Sequence, residues 1–174
     1  GVGLFRTEFL YLGHAEPPGE DVQYRAYREA VLAMAGKPVT LRTLDLGADK
    51  ADKTGLALRD EPNPALGLRG VRLSLANGDL FDTQLRAIVR ASGYGPVRVL
   101  VPMISNREEI VAVRKRLKRV ADKLRKQGAE VADDIPIGAM IEVPAAAIAL
   151  HAFVDLVDFL SIGTNDLVQY LLAA

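Results

Sequence analysis

The sequence predicts an α/β fold with parallel strands, arranged as an open sheet or a barrel. Two observations carry that prediction. Five short apolar runs alternate strictly with stretches of helical period, the layout of parallel strands joined by crossovers. Each run also ends in charged or amide residues, and in such folds the carboxyl ends of the strands share the face where chemistry gathers.

The first strand is read at Gly1 to Leu4, followed by Phe5-Arg6-Thr7-Glu8-Phe9-Leu10, where two opposite charges interrupt the apolar run. Pro17, Pro18 and Gly19 break the chain. From Asp21 a helical period with Val22, Tyr24, Val31 and Met34 runs to Gly36. The second strand is Val39 to Asp45. Leu46 to Gly67 is the least regular stretch, with Asp49, Lys50, Asp52 and Lys53 close together, and loops of this length tend to be functional. Asn63 to Arg72 follows without an assigned element, then an amphipathic helix over Asp79 to Ser92. Val97 to Ile104 is the third strand. Ser105 with Glu108 predicts a capping box for a long helix to Gly128. The fourth strand is Ile135 to Pro144, with an Ala-rich helix from Ala145 to His151. Val157 to Gly163 is the fifth, and a last helical pattern covers Leu167 to Ala174.

The totals narrow the function classes. Hydrophobic residues make up 49% of the 174 and aromatics 6%, which suits an aliphatic core of useful size. Lys and Arg number 22 and so do Asp and Glu, so no net field gathers nucleic acid or an anionic membrane. The run Arg114, Lys115, Arg116, Lys118, Arg119, Lys123, Arg125 and Lys126 is therefore read as a solvated helix face. With no cysteine, disulfides, thiolate metal sites and a cysteine nucleophile are excluded within these residues. No apolar run approaches the ~20 residues that span a bilayer. No basic-then-apolar leader is seen either, so a cytoplasmic location is expected. Both ends fall inside elements, and the expectation is a piece of a longer protein.

The chemistry is expected at the strand ends: Arg6 and Glu8, Arg42 and Asp45, Glu142, and Asn165 with Asp166. Carboxylates and an amide suit a hard divalent cation that keeps open positions for a substrate. Arginines beside it suit a phosphate or carboxylate through their forked donors. Together they point to a magnesium-assisted site for a small phosphorylated acid. Each group has a plainer use: Thr164-Asn165-Asp166 could cap a helix, Arg6 and Glu8 could pair locally, and Arg42 and Asp45 could lock a loop. His14, beside Gly13, and His151 are read as incidental.

Six segments in order carry a resemblance. They are Gly3-Leu4-Phe5-Arg6-Thr7-Glu8-Phe9-Leu10, Leu41-Arg42-Thr43-Leu44-Asp45-Leu46-Gly47-Ala48-Asp49-Lys50, Asn63-Pro64-Ala65-Leu66-Gly67-Leu68-Arg69, Val101-Pro102-Met103-Ile104, Met140-Ile141-Glu142-Val143-Pro144-Ala145-Ala146 and Ser161-Ile162-Gly163-Thr164-Asn165-Asp166-Leu167. The chain resembles the phosphoenolpyruvate-utilising enzymes, most closely the Enzyme I phosphotransferases of the bacterial sugar phosphotransferase system. Pyruvate phosphate dikinase and phosphoenolpyruvate synthase are the alternatives, and a phosphoenolpyruvate-sensing module without catalysis is another.

The resemblance implies an incomplete (β/α)8 barrel, with residues 1–174 its central part and about five of eight strands present. It implies Arg6, Arg42 and Arg69 on the phosphate, Asn165 and Asp166 on the substrate, and Glu142 and Asp166 as ligands of magnesium. In the family the phosphoryl group passes to a histidine on a separate N-terminal domain, then to a histidine-containing phosphocarrier protein, and the enolate left behind is protonated to pyruvate. That histidine, the cysteine that protonates the enolate and a further substrate-binding arginine fall outside these residues. The segment alone is accordingly expected to be inactive and, with open strand edges, to self-associate; family members form homodimers through this domain.

Overall fold

The computed structural model describes residues 2–12, 16–46, 63 and 65–173. Five parallel strands form one curled sheet in chain order: β1 (Val2–Arg6), β2 (Val39–Arg42), β3 (Val97–Val101), β4 (Ile137–Ile141) and β5 (Phe159–Ile162). Each neighbour in sequence is a neighbour in space, as in an incomplete barrel. Helices α1 (Glu20–Ala33), α2 (Gly70–Ala76), α3 (Gly78–Ala91), α4 (Arg107–Lys126), α5 (Pro144–Ile148) and α6 (Thr164–Leu172) follow the strands in turn.

The strands alternate faces because successive side chains point to opposite sides of a sheet. Val39, Leu41, Val99, Val101, Ile137 and Ala139 point outward into the main core, against Tyr27 and Val31 of α1, Phe81, Leu85 and Ile88 of α3, and Val113 of α4. Thr40, Arg42, Arg98, Leu100, Met140 and Phe159 occupy the intervening positions and face the concave side. β4 shows why its second residue is glycine. A Cβ on Gly138 would stand 2.4 Å from the Phe159 ring, which fills that space from β5.

The element boundaries differ from the sequence reading in instructive places. The capping box is Asn106 with Glu109, one residue beyond Ser105 and Glu108. Asn106 Oδ1 accepts from the Glu109 N–H at 3.0 Å, and Glu109 Oε2 accepts from the Asn106 N–H at 3.2 Å. Glu109 faces inward and also takes the Ser105 N–H and hydroxyl, whereas Glu108 is exposed. Ser105 therefore supports the box rather than opening it. The short α2 carried no readable period. α6 starts at Thr164, three residues before the sequence suggested, so Asn165 and Asp166 sit in its first turn. His151 lies in an exposed 3-10 turn after α5. His14, Asp49, Lys50, Asp52 and Lys53 lie outside the described residues.

Most basic residues of α4 form a solvated face, but Arg116, over the Phe81 ring and paired with Asp82, and Arg125, bound to the Ala132 carbonyl, are half-buried. Arg114, Lys115, Lys118, Arg119, Lys123 and Lys126 are exposed, while Ile110, Val113, Leu117, Val120 and Leu124 are buried. Apolar surface is open at the far side of the sheet: Leu160, Ile162, Leu171 and Leu172 are all exposed, and β1 and β5 are the outer strands. Among the described residues no helix is long and apolar enough to cross a membrane.

Candidate functional site

At the carboxyl ends of the strands lies an open cavity of about 760 Å³. Every residue singled out from the sequence as binding substrate or metal lines it: Arg6, Arg42, Arg69, Glu142, Asn165 and Asp166. The topology brings them there. Arg6 and Arg42 end β1 and β2, Glu142 follows β4, and Asn165 and Asp166 open the helix that follows β5.

Arg6 and Arg42 are held by one carboxylate between them. Glu8 Oε1 accepts from Arg6 Nε at 2.8 Å and from Arg42 Nη2 at 2.6 Å. Glu8 and Arg42 are buried and Arg6 is half exposed, so the bridge stands at the cavity wall with one guanidinium reaching solvent. Two positive groups that would repel each other in the open are thereby fixed side by side. Arg42 Nη1 also lies 3.5 Å from Asp45 Oδ2 and 3.7 Å from the Met140 sulfur. Arg42 Nε and Glu8 Oε2 are buried without a partner among the described residues.

Arg69 forms a second cluster. Its Nη2 donates to both oxygens of Asp45 at 3.3 Å, and its Nη1 donates to Asp166 Oδ1 at 2.9 Å and to the Tyr170 hydroxyl at 3.1 Å. Burial alone would lower the Arg69 pKa, but the Asp45 and Asp166 charges outweigh it and raise the pKa well above its ordinary value. The Tyr170 hydroxyl in turn donates to the Ala65 carbonyl, tying α6 to the segment before Arg69. Asp166 is therefore committed to an ion pair, while the N-cap of α6 is Gly163 with no side-chain capping bond. The capping use of Thr164-Asn165-Asp166 is not the one the structure displays.

Glu142 is the buried carboxylate of the site. Its Oε1 accepts from the Met103 N–H at 2.7 Å, which is aimed there by a left-handed backbone at Met103 (φ 59°). Gly70 makes this packing possible. It is itself left-handed (φ 55°), and a Cβ there would stand 2.6 Å from Met103 Cγ. Burial pushes the Glu142 carboxyl up to about 7; the Met103 N–H and Arg42 oppose the rise, and the Asp45 and Asp166 charges add to it. Gly163 borders it so closely that a Cβ would lie 2.4 Å from Glu142 Oε2.

The donor set fits a hard cation of the magnesium type. Such an ion takes one or two carboxylates and fills its remaining positions with waters and substrate oxygens. Glu142 has no cationic hydrogen-bond partner among the described residues and is crowded by two like charges, which is where a cation lowers the energy most. No cluster of three or more metal-ligating side chains occurs among the described residues, so a protein-only cage is not what the cavity offers.

The sequence profile of the PEP-utilising enzymes, PEP-binding domain, matches residues 1–174. The chain belongs to this family. It is 49% identical over its whole length to the phosphoenolpyruvate-protein phosphotransferase of Geobacillus stearothermophilus, and 51% identical over 99% of its length to that of Cupriavidus necator. The protein of the same name from Staphylococcus aureus is 47% identical over the full chain. In each case the chain spans about 30% of the relative's length.

This PEP-binding domain contains site features that the sequence did not announce. Glu8 was visible as a local partner of Arg6, but its bond to Arg42 crosses 34 residues. Arg42 and Asp45 do pair, and through Arg69 that pairing extends to α6; the loop they were read as locking lies mostly outside the described residues. Thr7 and Gln84, both buried beneath Arg42, gave no signal, since Gln84 reads as one polar residue in an amphipathic helix.

Proposed function

We propose that this chain is the phosphoenolpyruvate- and magnesium-binding part of a phosphoenolpyruvate-protein phosphotransferase of the Enzyme I type. The observation that carries the reading is the layout of one cavity. Arg6 and Arg42 are joined by Glu8, Arg69 is joined to Asp45 and Asp166, and Glu142 lines the same space. The names of the relatives support it.

On this reading Arg6, Arg42 and Arg69 bind the phosphate of phosphoenolpyruvate. Forked guanidinium groups match its oxygens, and charge spread over those oxygens in the transition state is what a phosphoryl-transfer site must stabilise. The buried Arg42 is positioned in advance, so little reorganisation is needed when substrate arrives. Glu142 and Asp166 would hold magnesium, which would supply positive charge to offset that of the bound polyanion. Asn165, exposed at the start of α6, offers amide contacts to the substrate. The bond between phosphorus and the enol oxygen breaks, the phosphoryl group goes to a histidine nitrogen, and the electron pair stays on the enolate, which a proton converts to pyruvate. The acceptor histidine and the proton donor belong to parts of the protein beyond this chain. The phosphohistidine then serves a histidine-containing phosphocarrier protein, in a cytoplasmic homodimer.

The test uses the natural polypeptide that carries this chain, incubated with phosphoenolpyruvate and magnesium, with and without ATP or AMP. Intact mass and pyruvate release are read. An acid-labile added phosphate without nucleotide is the expected result. Phosphate that appears only through the nucleotide moves the assignment to the dikinase or synthase class. Saturable binding with no phosphate transferred moves it to a sensing module.

A further inference from the structure

We propose that Thr7 and Gln84 are positioning residues for phosphate binding, acting through the backbone that follows Arg42, at the two peptide groups flanking Thr43. The proposal rests on the phosphoenolpyruvate reading above. Neither residue lines the cavity. Both are buried, at 0% and 1% exposure, and they lie 77 residues apart in the chain, just after β1 and in the middle of α3.

The two side chains close a small ring with the end of β2. The Thr7 hydroxyl donates to the Arg42 carbonyl at 2.8 Å. The Gln84 amide donates to Thr7 Oγ1 at 3.1 Å, and its carbonyl oxygen accepts from the Leu44 N–H at 3.0 Å. Arg42 is the last residue of β2, and from there the sheet offers little restraint: Thr43 N–H to the Leu100 carbonyl, at 2.9 Å, is the next bond. The ring supplies the restraint for the peptide units that set the direction of the Arg42 side chain and carry the chain on to Asp45. Since Asp45 binds Arg69, the same ring fixes two of the arginines relative to each other.

The amide of Gln84 is itself held in one orientation. The Tyr27 hydroxyl donates to Gln23 Oε1 at 3.0 Å, which leaves its oxygen to accept from Gln84 Nε2 at 3.4 Å. Gln23 also accepts from Tyr11 at 3.3 Å and donates to the Pro18 carbonyl at 2.8 Å. Burial raises the pKa of both tyrosines, so they remain neutral donors. Each member of this chain has its polarity set by the next. Flipping the Gln84 amide would face an N–H₂ group to the Leu44 N–H, with both left unsatisfied in a dry interior.

The experiment measures phosphoenolpyruvate binding, in magnesium, to the natural polypeptide and its variants by calorimetry, with magnesium binding alone measured in parallel. Thr7→Val removes the hydroxyl at nearly constant volume and is expected to raise the Kd for phosphoenolpyruvate about 5- to 30-fold. Magnesium binding alone should stay within about twofold, because Glu142 and Asp166 are untouched. Thr7→Ser keeps the hydroxyl and should restore the affinity to within about twofold. Gln84→Glu keeps the acceptor for Leu44 but loses the donor to Thr7; it carries the same expectation as Thr7→Val and replaces it if that variant does not fold. Val89→Ala, a buried change on the same helix outside the ring, is the control for general loosening. Equal weakening by Val89→Ala, failure of Thr7→Ser to rescue, or an unchanged Kd in both Thr7→Val and Gln84→Glu overturns the proposal. A wild type that does not bind phosphoenolpyruvate overturns the functional reading itself, and this proposal with it.

Discussion

Glu142→Gln isolates the electrostatics of the site in one change. The folded chain raises the Glu142 carboxyl from its ordinary 4.5 to about 7, so it holds the proton more tightly than the unfolded chain by at most about 3 kcal/mol. The sign follows from that direction. A carboxyl raised on folding contributes its stability below its unfolded value and loses it as the pH rises through about 7. With metal chelated, wild type should therefore lose up to about 3 kcal/mol from this group between pH 5 and pH 8, or about 6–12 °C in Tm. Glutamine keeps an oxygen for the Met103 N–H but cannot ionise, so the variant should match wild type at pH 5 and exceed it at pH 8. Magnesium should reverse the order at pH 8, because binding to the folded state alone stabilises it and the variant lacks that ligand. Urea titrations of both proteins at the two pH values, in chelator and in excess magnesium, give the four comparisons. A wild-type to variant difference in chelator that is the same at pH 5 and pH 8 would refute the argument.

Two further substitutions probe the packing around the same groups. Glu8→Ala strands the buried Arg42 guanidinium without its bridging carboxylate and should cost about 3–5 kcal/mol in urea unfolding; a loss below ~1 kcal/mol would mean the bridge carries little. Gly163→Ala places a methyl 2.4 Å from Glu142 Oε2 at an ordinary backbone φ of −91°, so its cost of about 1–3 kcal/mol should be accompanied by weaker magnesium binding, and magnesium affinity equal to wild type would show that Glu142 moves aside freely.

The fold was legible because its physics is local. Strands covered by helices need apolar runs; Ile137 to Ile141 is a continuous one, and Val97 to Val101 is interrupted only by Arg98, which faces the concave side. The strand-end residues Arg42, Glu142 and Asp166 were legible for a related reason. Charge has no place in the outward core, so where a buried run ends in charge, the end of the sheet is marked. What remained hidden depends on register between distant segments. Glu8 could be placed beside Arg6 from sequence, but its meeting with Arg42 requires the pairing of β1 with β2. Gln84 lies between Phe81 and Leu85 in a helix whose other inward residues are apolar, and only the docking of α3 brings it under Leu44. The left-handed Met103 had no cue, because methionine has no preference for that conformation; it is held by the closeness of Gly70 and by Glu142.

Charge balance in the cavity links the proposed substrate to the proposed ion. Arg6, Arg42 and Arg69 face Glu8, Asp45, Glu142 and Asp166, three positive groups against four negative ones when Glu142 is ionised. A site with one net negative charge is a poor receptor for a polyanion, however well its arginines are placed. The structure shows where those arginines are spent: Arg69 neutralises Asp45 and Asp166, and Arg42 neutralises Glu8. A divalent cation between Glu142 and Asp166 would change both facts. It would reverse the net sign, and by taking up the charge of Asp166 it would loosen the hold on Arg69 Nη1, freeing that donor for a phosphate oxygen. On the proposed function, substrate and cation would favour each other's binding, and by linkage the coupling would be equal in both directions. The ion pairs keep a highly charged cavity close to neutral, and on the proposed function the same pairs are the ones that the ion and the phosphate would replace.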